Sequence, residues 1–90
     1  MFHVEVGDKF IIEGGGKYLN SLYRRYVGKT IEITNVCNYQ YGSDRDVRWN
    51  VEGTRDGQPG FDDGIPMSNF HKFAMDVGLR KLDIQASWEV

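Results

Sequence analysis

The amino-acid sequence predicts one small, mostly-β domain: a small barrel or a strongly bent antiparallel sheet of about five strands, with one or two short helices. The chain has 90 residues, which is enough for one domain and too few for two. Hydrophobic residues make up 40% of it and aromatic residues 13%, a composition typical of chains that fold. Short apolar runs are separated by turns rich in glycine, proline and aspartate, which is the pattern of a small β protein.

Five runs have the alternation or the residue types of β-strands. They span residues 2–6, 10–12, 30–37, 46–53 and 61–67. The clearest is the fourth, in which Val47, Trp49 and Val51 face one side and the residues between them face the other. The fifth is expected to be short or at an edge, because Gly64 and Pro66 interrupt it.

Two stretches are predicted to be helical. In the first, apolar side chains recur at the i, i+3, i+4 and i+7 positions of a helix. They are Leu19, Leu22, Tyr23 and Tyr26. The second helix is expected to begin at Ser68 or Asn69, which can cap it, and to end at Gly78. Beyond it, residues 79–90 are expected to form either an extra strand or a docking arm, because apolar and polar side chains alternate over residues 81–88.

Four segments carry a likeness to a known group of proteins. They are residues 6–10, 26–30, 47–51 and 68–70, which are two strand entries, a central strand and a short helix after the last barrel strand. In this layout the chain resembles small SH3-like barrels, including phage-encoded accessory proteins. The resemblance implies a single SH3-like domain over residues 1–90. By analogy of fold, it also implies an inhibitor or adaptor that acts on a host or defence enzyme.

The net charge of −2 conceals an uneven distribution of charge. No acidic residue lies between Glu13 and Glu32, whereas four basic residues do, so this segment carries +4 and the rest of the chain −6. The basic residues are Lys17, Arg24, Arg25 and Lys29, and Tyr18, Tyr23 and Tyr26 are interleaved with them. Two interpretations stay open. Segment 17–29 either holds a nucleic-acid backbone and stacks bases, or its tyrosines cover the barrel while its cations are solvated.

A second candidate surface is acidic and aromatic. Tyr39 and Tyr41 lie in a polar loop, and Phe61 adjoins two aspartates. Tyrosine, phenylalanine and arginine are enriched in protein interfaces. The sequence therefore predicts a non-enzymatic module that binds a protein partner, with a small nucleic-acid-binding protein as the alternative. The candidate partner-binding residues are Tyr23, Arg24, Arg25, Tyr39, Tyr41 and Phe61.

No catalytic, metal or cofactor site is predicted. Residues 28–30 match the end of a phosphate-binding loop, but Tyr23 stands where that motif needs its first glycine. The single cysteine, Cys37, allows neither an internal disulfide nor a cysteine-rich zinc site. Since the sequence has no apolar run of membrane-spanning length and no signal-peptide pattern, a cytoplasmic protein without a membrane partner is expected.

Overall fold

A computed structural model describes residues 4–15, 21–37 and 46–82. In this part of the chain, five strands form one antiparallel sheet and two helices accompany it. The elements are β1 (Lys9–Ile12), α1 (Ser21–Arg24), β2 (Thr30–Val36), β3 (Val47–Val51), β4 (Asp63–Ile65), α2 (Met67–Val77) and β5 (Leu79–Lys81). The order across the sheet is β4-β3-β2-β1-β5. The predicted mostly-β architecture is confirmed. The sheet is open, because no ladder joins β4 to β5 among the described residues.

The core lies between one face of the sheet and α2. Alternate residues of the central strands are fully buried, as the period of two requires. They are Phe10, Ile12, Ile31, Ile33, Val47, Trp49 and Val51. From α2, Phe70, Ala74 and Val77 pack onto them. Trp49 is central, because its ring stacks on Phe73 at 4.6 Å and meets Phe70 edge-on at 5.9 Å between ring centroids.

The beginning of α2 differs from the prediction, whereas its end does not. The helix begins at Met67 after Pro66, and no side chain caps it, so the predicted cap at Ser68 or Asn69 is wrong. Proline suits this position because the N-cap residue is extended, here with φ −60° and ψ 145°, and the fixed φ of proline is compatible with that conformation. Gly78 ends the helix as predicted, in the left-handed conformation with φ 70°, and its N–H donates to the Ala74 carbonyl.

The first predicted strand needs correction, and the predicted extra strand or arm of residues 79–90 is described only at its beginning. Val4 and Glu5 are not in a strand, and Val6 lies in a turn in which 63% of its surface is exposed. This turn is stabilised by the Asp8 N–H, which donates to the Glu5 carbonyl, and by the Gly7 N–H, which donates to Ile33 of β2. At the other end, the chain enters β5 directly after α2 and pairs with β1. The alternating residues from 83 onward lie outside the described part of the chain.

Candidate functional site

The candidate site is the turn that joins α1 to β2, residues 24–29, called here the basic turn. Backbone hydrogen bonds attach it to the end of β1. The Gly28 N–H donates to the Ile12 carbonyl at 2.7 Å, and the Ile12 N–H donates to the Lys29 carbonyl at 2.9 Å. Gly28 has φ 92°, a conformation that glycine adopts without strain. The turn is therefore fixed in position relative to the sheet.

Three cations project from the basic turn. Arg24, Arg25 and Lys29 are all exposed, as the predicted helical stripe implies for the two arginines. None of the three has an ion-pair or hydrogen-bond partner for its side chain among the described residues. Val27, 45% exposed, lies between them. The turn thus carries one exposed apolar side chain and three cations that have no ion-pair partner in the described part of the chain.

Tyr23 lies beneath the basic turn and not at the surface. Only 4% of it is exposed. Its hydroxyl donates to Asp63 Oδ2 at 2.5 Å and accepts from the indole Nε1 of Trp49 at 2.8 Å. Burial, together with the hydrogen bond to Asp63, raises the pKa of the Tyr23 hydroxyl far above its ordinary value. The prediction of Tyr23 as an exposed contact is therefore wrong, because its ring and its hydroxyl both complete the core.

Tyr26 is the second tyrosine that anchors the turn. It is 8% exposed, and its ring meets Tyr23 edge-on at 5.6 Å. Its hydroxyl donates to the carbonyl of Pro59 at 2.5 Å. Of the two interpretations of segment 17–29, the structure of these two tyrosines matches the one in which they cover the core while Arg24 and Arg25 stay solvated. Neither ring is available to stack on a base.

The second candidate surface is described only in part. Tyr39 and Tyr41 lie outside the described residues. Phe61 is half-buried on the connection from β3 to β4. The next residue, Asp62, has a left-handed φ of 53°, and its carboxylate forms an ion pair with Arg48 at 3.2 Å. This connection leads directly into Asp63, the residue that accepts the Tyr23 hydrogen bond, so it borders the element that carries the basic turn.

A shallow polar groove with a volume of about 230 Å³ lies on the outer face of the sheet, and it was not predicted from the sequence. It is lined by Lys9, Thr30, Glu32, Asn50, Val51 and Glu52. The cross-strand register explains it, because Lys9 pairs with Glu32, which in turn pairs with Asn50 on β3. The outward polar positions of the alternating strands were the available signal. The groove therefore places the cationic side chain of Lys9 near the carboxylates of Glu32 and Glu52.

The histidine, cysteine and acidic side chains of the described residues are dispersed over the fold. No group of three histidine, cysteine, aspartate or glutamate side chains converges there. Cys37 is half-buried, and His71 is exposed on α2. Within the described residues, Oδ1 of Asp46 is a buried carboxylate oxygen without a hydrogen-bond partner. In this part of the chain no helix combines the length and the apolar character needed to cross a bilayer.

Three comparisons with known proteins gave no match: no protein-family model, no curated protein and no solved structure is significantly similar to this chain. The class of protein is therefore defined by the observed fold and candidate site alone. It is a small antiparallel β protein that presents an exposed basic turn fixed by two buried tyrosines.

Proposed function

We propose that the chain is a non-enzymatic protein-binding module that uses the basic turn to contact an acidic surface of its partner. The observation that carries the proposal is that Arg24 and Arg25 are exposed, without an ion-pair partner among the described residues, on a turn that Tyr23 and Tyr26 hold in place. Arginine is enriched among the residues that contribute most to protein–protein binding energy. A turn that is already ordered loses little conformational entropy on binding.

The electrostatics favour a partner of opposite charge. Complementary potentials increase the association rate and reject wrong partners more than they add raw affinity. Val27 supplies the apolar contact that charged groups alone lack, since 45% of its surface is exposed and it stands between Arg25 and Lys29 in the sequence. The expected interface is thus a positive rim around a small apolar contact.

A nucleic-acid-binding role is the alternative, and the same cations favour it. Single-stranded nucleic acid is usually held by a basic groove together with exposed aromatic rings. Tyr23 and Tyr26 are buried, so this part of the segment offers positive charge without a stacking platform. The charge of −6 on the rest of the chain would also repel phosphate outside the turn. These points favour a protein partner.

At a finer level, we propose that the sheet is a relative of small SH3-like barrels. The meander of β1 to β4, followed by a helix and a strand beside β1, supports this proposal. The resemblance to phage-encoded barrels further suggests a cytoplasmic inhibitor or adaptor that acts on a host or defence enzyme. Tyr39, Tyr41 and Phe61 stay predicted contacts of that partner.

The test is quantitative capture from cells of the native host. Tagged wild type, an Arg24→Ala/Arg25→Ala variant and a Lys72→Ala control are compared by mass spectrometry, and affinity is then measured with the purified partner. Lys72 is a suitable control because it lies on α2 and already pairs with Asp76. We expect the double variant to bind the partner at least about thirtyfold more weakly, corresponding to about 2 kcal/mol. All three proteins should melt at similar temperatures.

If wild type and both variants capture equal amounts of the partner, the interface does not depend on Arg24 and Arg25 and lies elsewhere. The nucleic-acid alternative makes a different prediction for the same variants. Binding to DNA or RNA oligonucleotides should then fall steeply with salt, and loss of the two arginines should reduce that slope by about two. Capture that disappears on nuclease treatment would favour this alternative over the proposed function.

A further inference from the structure

A second loop lies against the basic turn. It comprises residues 53–60, between β3 and β4, and is called here the Arg55 loop. At its beginning, a Cβ placed on Gly53 would lie 3.8 Å from Nζ of Lys29. At its end, the Pro59 carbonyl accepts the Tyr26 hydroxyl hydrogen bond, and a Cβ on Gly60 would lie 3.1 Å from the Tyr26 ring. Both ends of the Arg55 loop therefore touch residues of the basic turn.

The Arg55 loop is an ordered turn. The Arg55 N–H donates to Oε1 of Gln58 at 2.7 Å, and the Gln58 N–H donates back to the Arg55 carbonyl at 2.9 Å. The Thr54 hydroxyl donates to the Val51 carbonyl at 2.7 Å, which ties the loop to β3. Gly57 has φ 87°, which glycine adopts readily in a tight turn. The Arg55 side chain is exposed on this fixed backbone.

The distribution of unpaired cations singles out these two loops. The described residues contain nine lysine and arginine side chains, and four of them form ion pairs. Of the other five, one is Lys9 in the outer groove. The remaining four lie on the two adjoining loops: Arg24, Arg25, Lys29 and Arg55. Elsewhere in the described part of the chain, exposed cations are neutralised by neighbouring carboxylates.

We propose that the basic turn and the Arg55 loop form one continuous surface, and that this surface takes an acidic segment of a protein partner. The inference rests on the proposed function and extends it, because it adds Arg55 to the site and states the chemistry of the ligand. Separate carboxylates on a peptide can contact the cations of both loops. A single-stranded nucleic acid suits the surface less well, because Tyr26, whose hydroxyl joins the two loops, is buried and cannot stack on a base.

The test uses the full chain and a fluorescein-labelled polyglutamate peptide as the probe, with binding measured by fluorescence anisotropy at low and moderate salt. Arg55→Glu is compared with Lys72→Glu, which changes the net charge equally and lies on α2. We expect Arg55→Glu to weaken peptide binding about fivefold or more, because reversal replaces an attraction by a repulsion. Lys72→Glu should change binding by less than about twofold. Melting curves establish that each variant is folded, and Arg55→Gln serves as a milder second variant.

Three outcomes would overturn the inference. If wild type does not bind polyglutamate at low salt, the surface does not take acidic segments. If Arg55→Glu behaves like Lys72→Glu while Arg24→Glu/Arg25→Glu loses binding, the basic turn acts without the Arg55 loop, and the proposed function survives. If an oligothymidylate of equal charge binds more tightly than polyglutamate and depends on the same arginines, the ligand is nucleic acid and the proposed function fails as well.

Discussion

Replacing Tyr23 by phenylalanine tests the hydrogen-bond network on which the site rests. The change removes one oxygen atom and keeps the buried ring. Without that oxygen, the indole N–H of Trp49, a residue 1% exposed, loses its acceptor. A buried donor without a partner costs about 1–3 kcal/mol. Asp63 also loses a donor, but it is half-buried and can bind water in exchange, so this loss is smaller.

The expected loss of unfolding free energy for Tyr23→Phe is therefore about 2–3 kcal/mol. For a domain of this size it corresponds to a melting temperature lower by roughly 8–24 °C. Tyr26→Phe is the matched comparison, because its hydroxyl donates to one carbonyl, that of the exposed residue Pro59. We expect that variant to lose only about 1 kcal/mol.

Urea unfolding followed by circular dichroism measures both variants. A second readout is the indole N–H resonance of Trp49 in ¹H–¹⁵N spectra, which should shift in Tyr23→Phe because it has lost its acceptor. If Tyr23→Phe melts within a few degrees of wild type and the indole resonance does not move, the hydroxyl is not buried between Trp49 and Asp63. Tyr23 would then be a surface residue, as its position in a connecting segment predicts.

Two further predictions concern pH and backbone geometry. The raised pKa of Tyr23 means that its neutral form is favoured in the folded state, so its stabilising effect is complete below its ordinary pKa of 10.0 and is lost as the pH rises above it. Wild type should therefore lose up to about 1.4 kcal/mol more per pH unit above that value than Tyr23→Phe, and equal alkaline slopes would contradict the network. Gly78→Ala should cost at least about 3 kcal/mol, because its φ is 70° and the new Cβ would lie 2.2 Å from the Gly14 carbonyl oxygen. Gly57→Ala is the control: its φ is 87°, but the new Cβ would meet no atom within 4 Å, so it should cost only about 1 kcal/mol. Equal urea midpoints for the two glycine variants would show that the junction of α2 and β5 is not packed as described.

The alternation of apolar residues predicted the central strands well, because local chemistry decides them. Val47, Trp49 and Val51 alternate in the sequence and are all buried in β3. The same rule failed for Val4 and Val6, where the pattern is equally regular. There the backbone hydrogen bonds close a turn, and no neighbouring strand is paired with these residues. An alternating pattern shows which side chains could share a face but not whether a partner strand lies alongside.

The site was predicted less completely, because its geometry depends on distant residues. The partner of the Tyr23 hydroxyl is Asp63, 40 residues away, and the partner of the Tyr26 hydroxyl is Pro59, 33 residues away. Neither pairing has a local signature. One signal did separate the buried from the exposed residues. The helical spacing of Tyr23 and Tyr26 predicted a common apolar stripe, and it placed Arg24 on the opposite side. The interface statistics for tyrosine pointed to the surface and were misleading here.

The burial of the two tyrosines separates the residues that stabilise the domain from those that can bind a partner. Tyr23 and Tyr26 contribute rings and hydroxyls to the core, so changes there should lower stability and alter binding only through the position of the turn. Arg24 and Arg25 are exposed and form no ion pair among the described residues, so changes there should alter binding at constant stability. Since exposed cations act over the screening length of the solvent, about 8 Å at physiological ionic strength, such binding should weaken markedly with added salt. A partner that binds through this surface should therefore be recognised mainly by its charge, with Val27 as the one apolar contact in the turn.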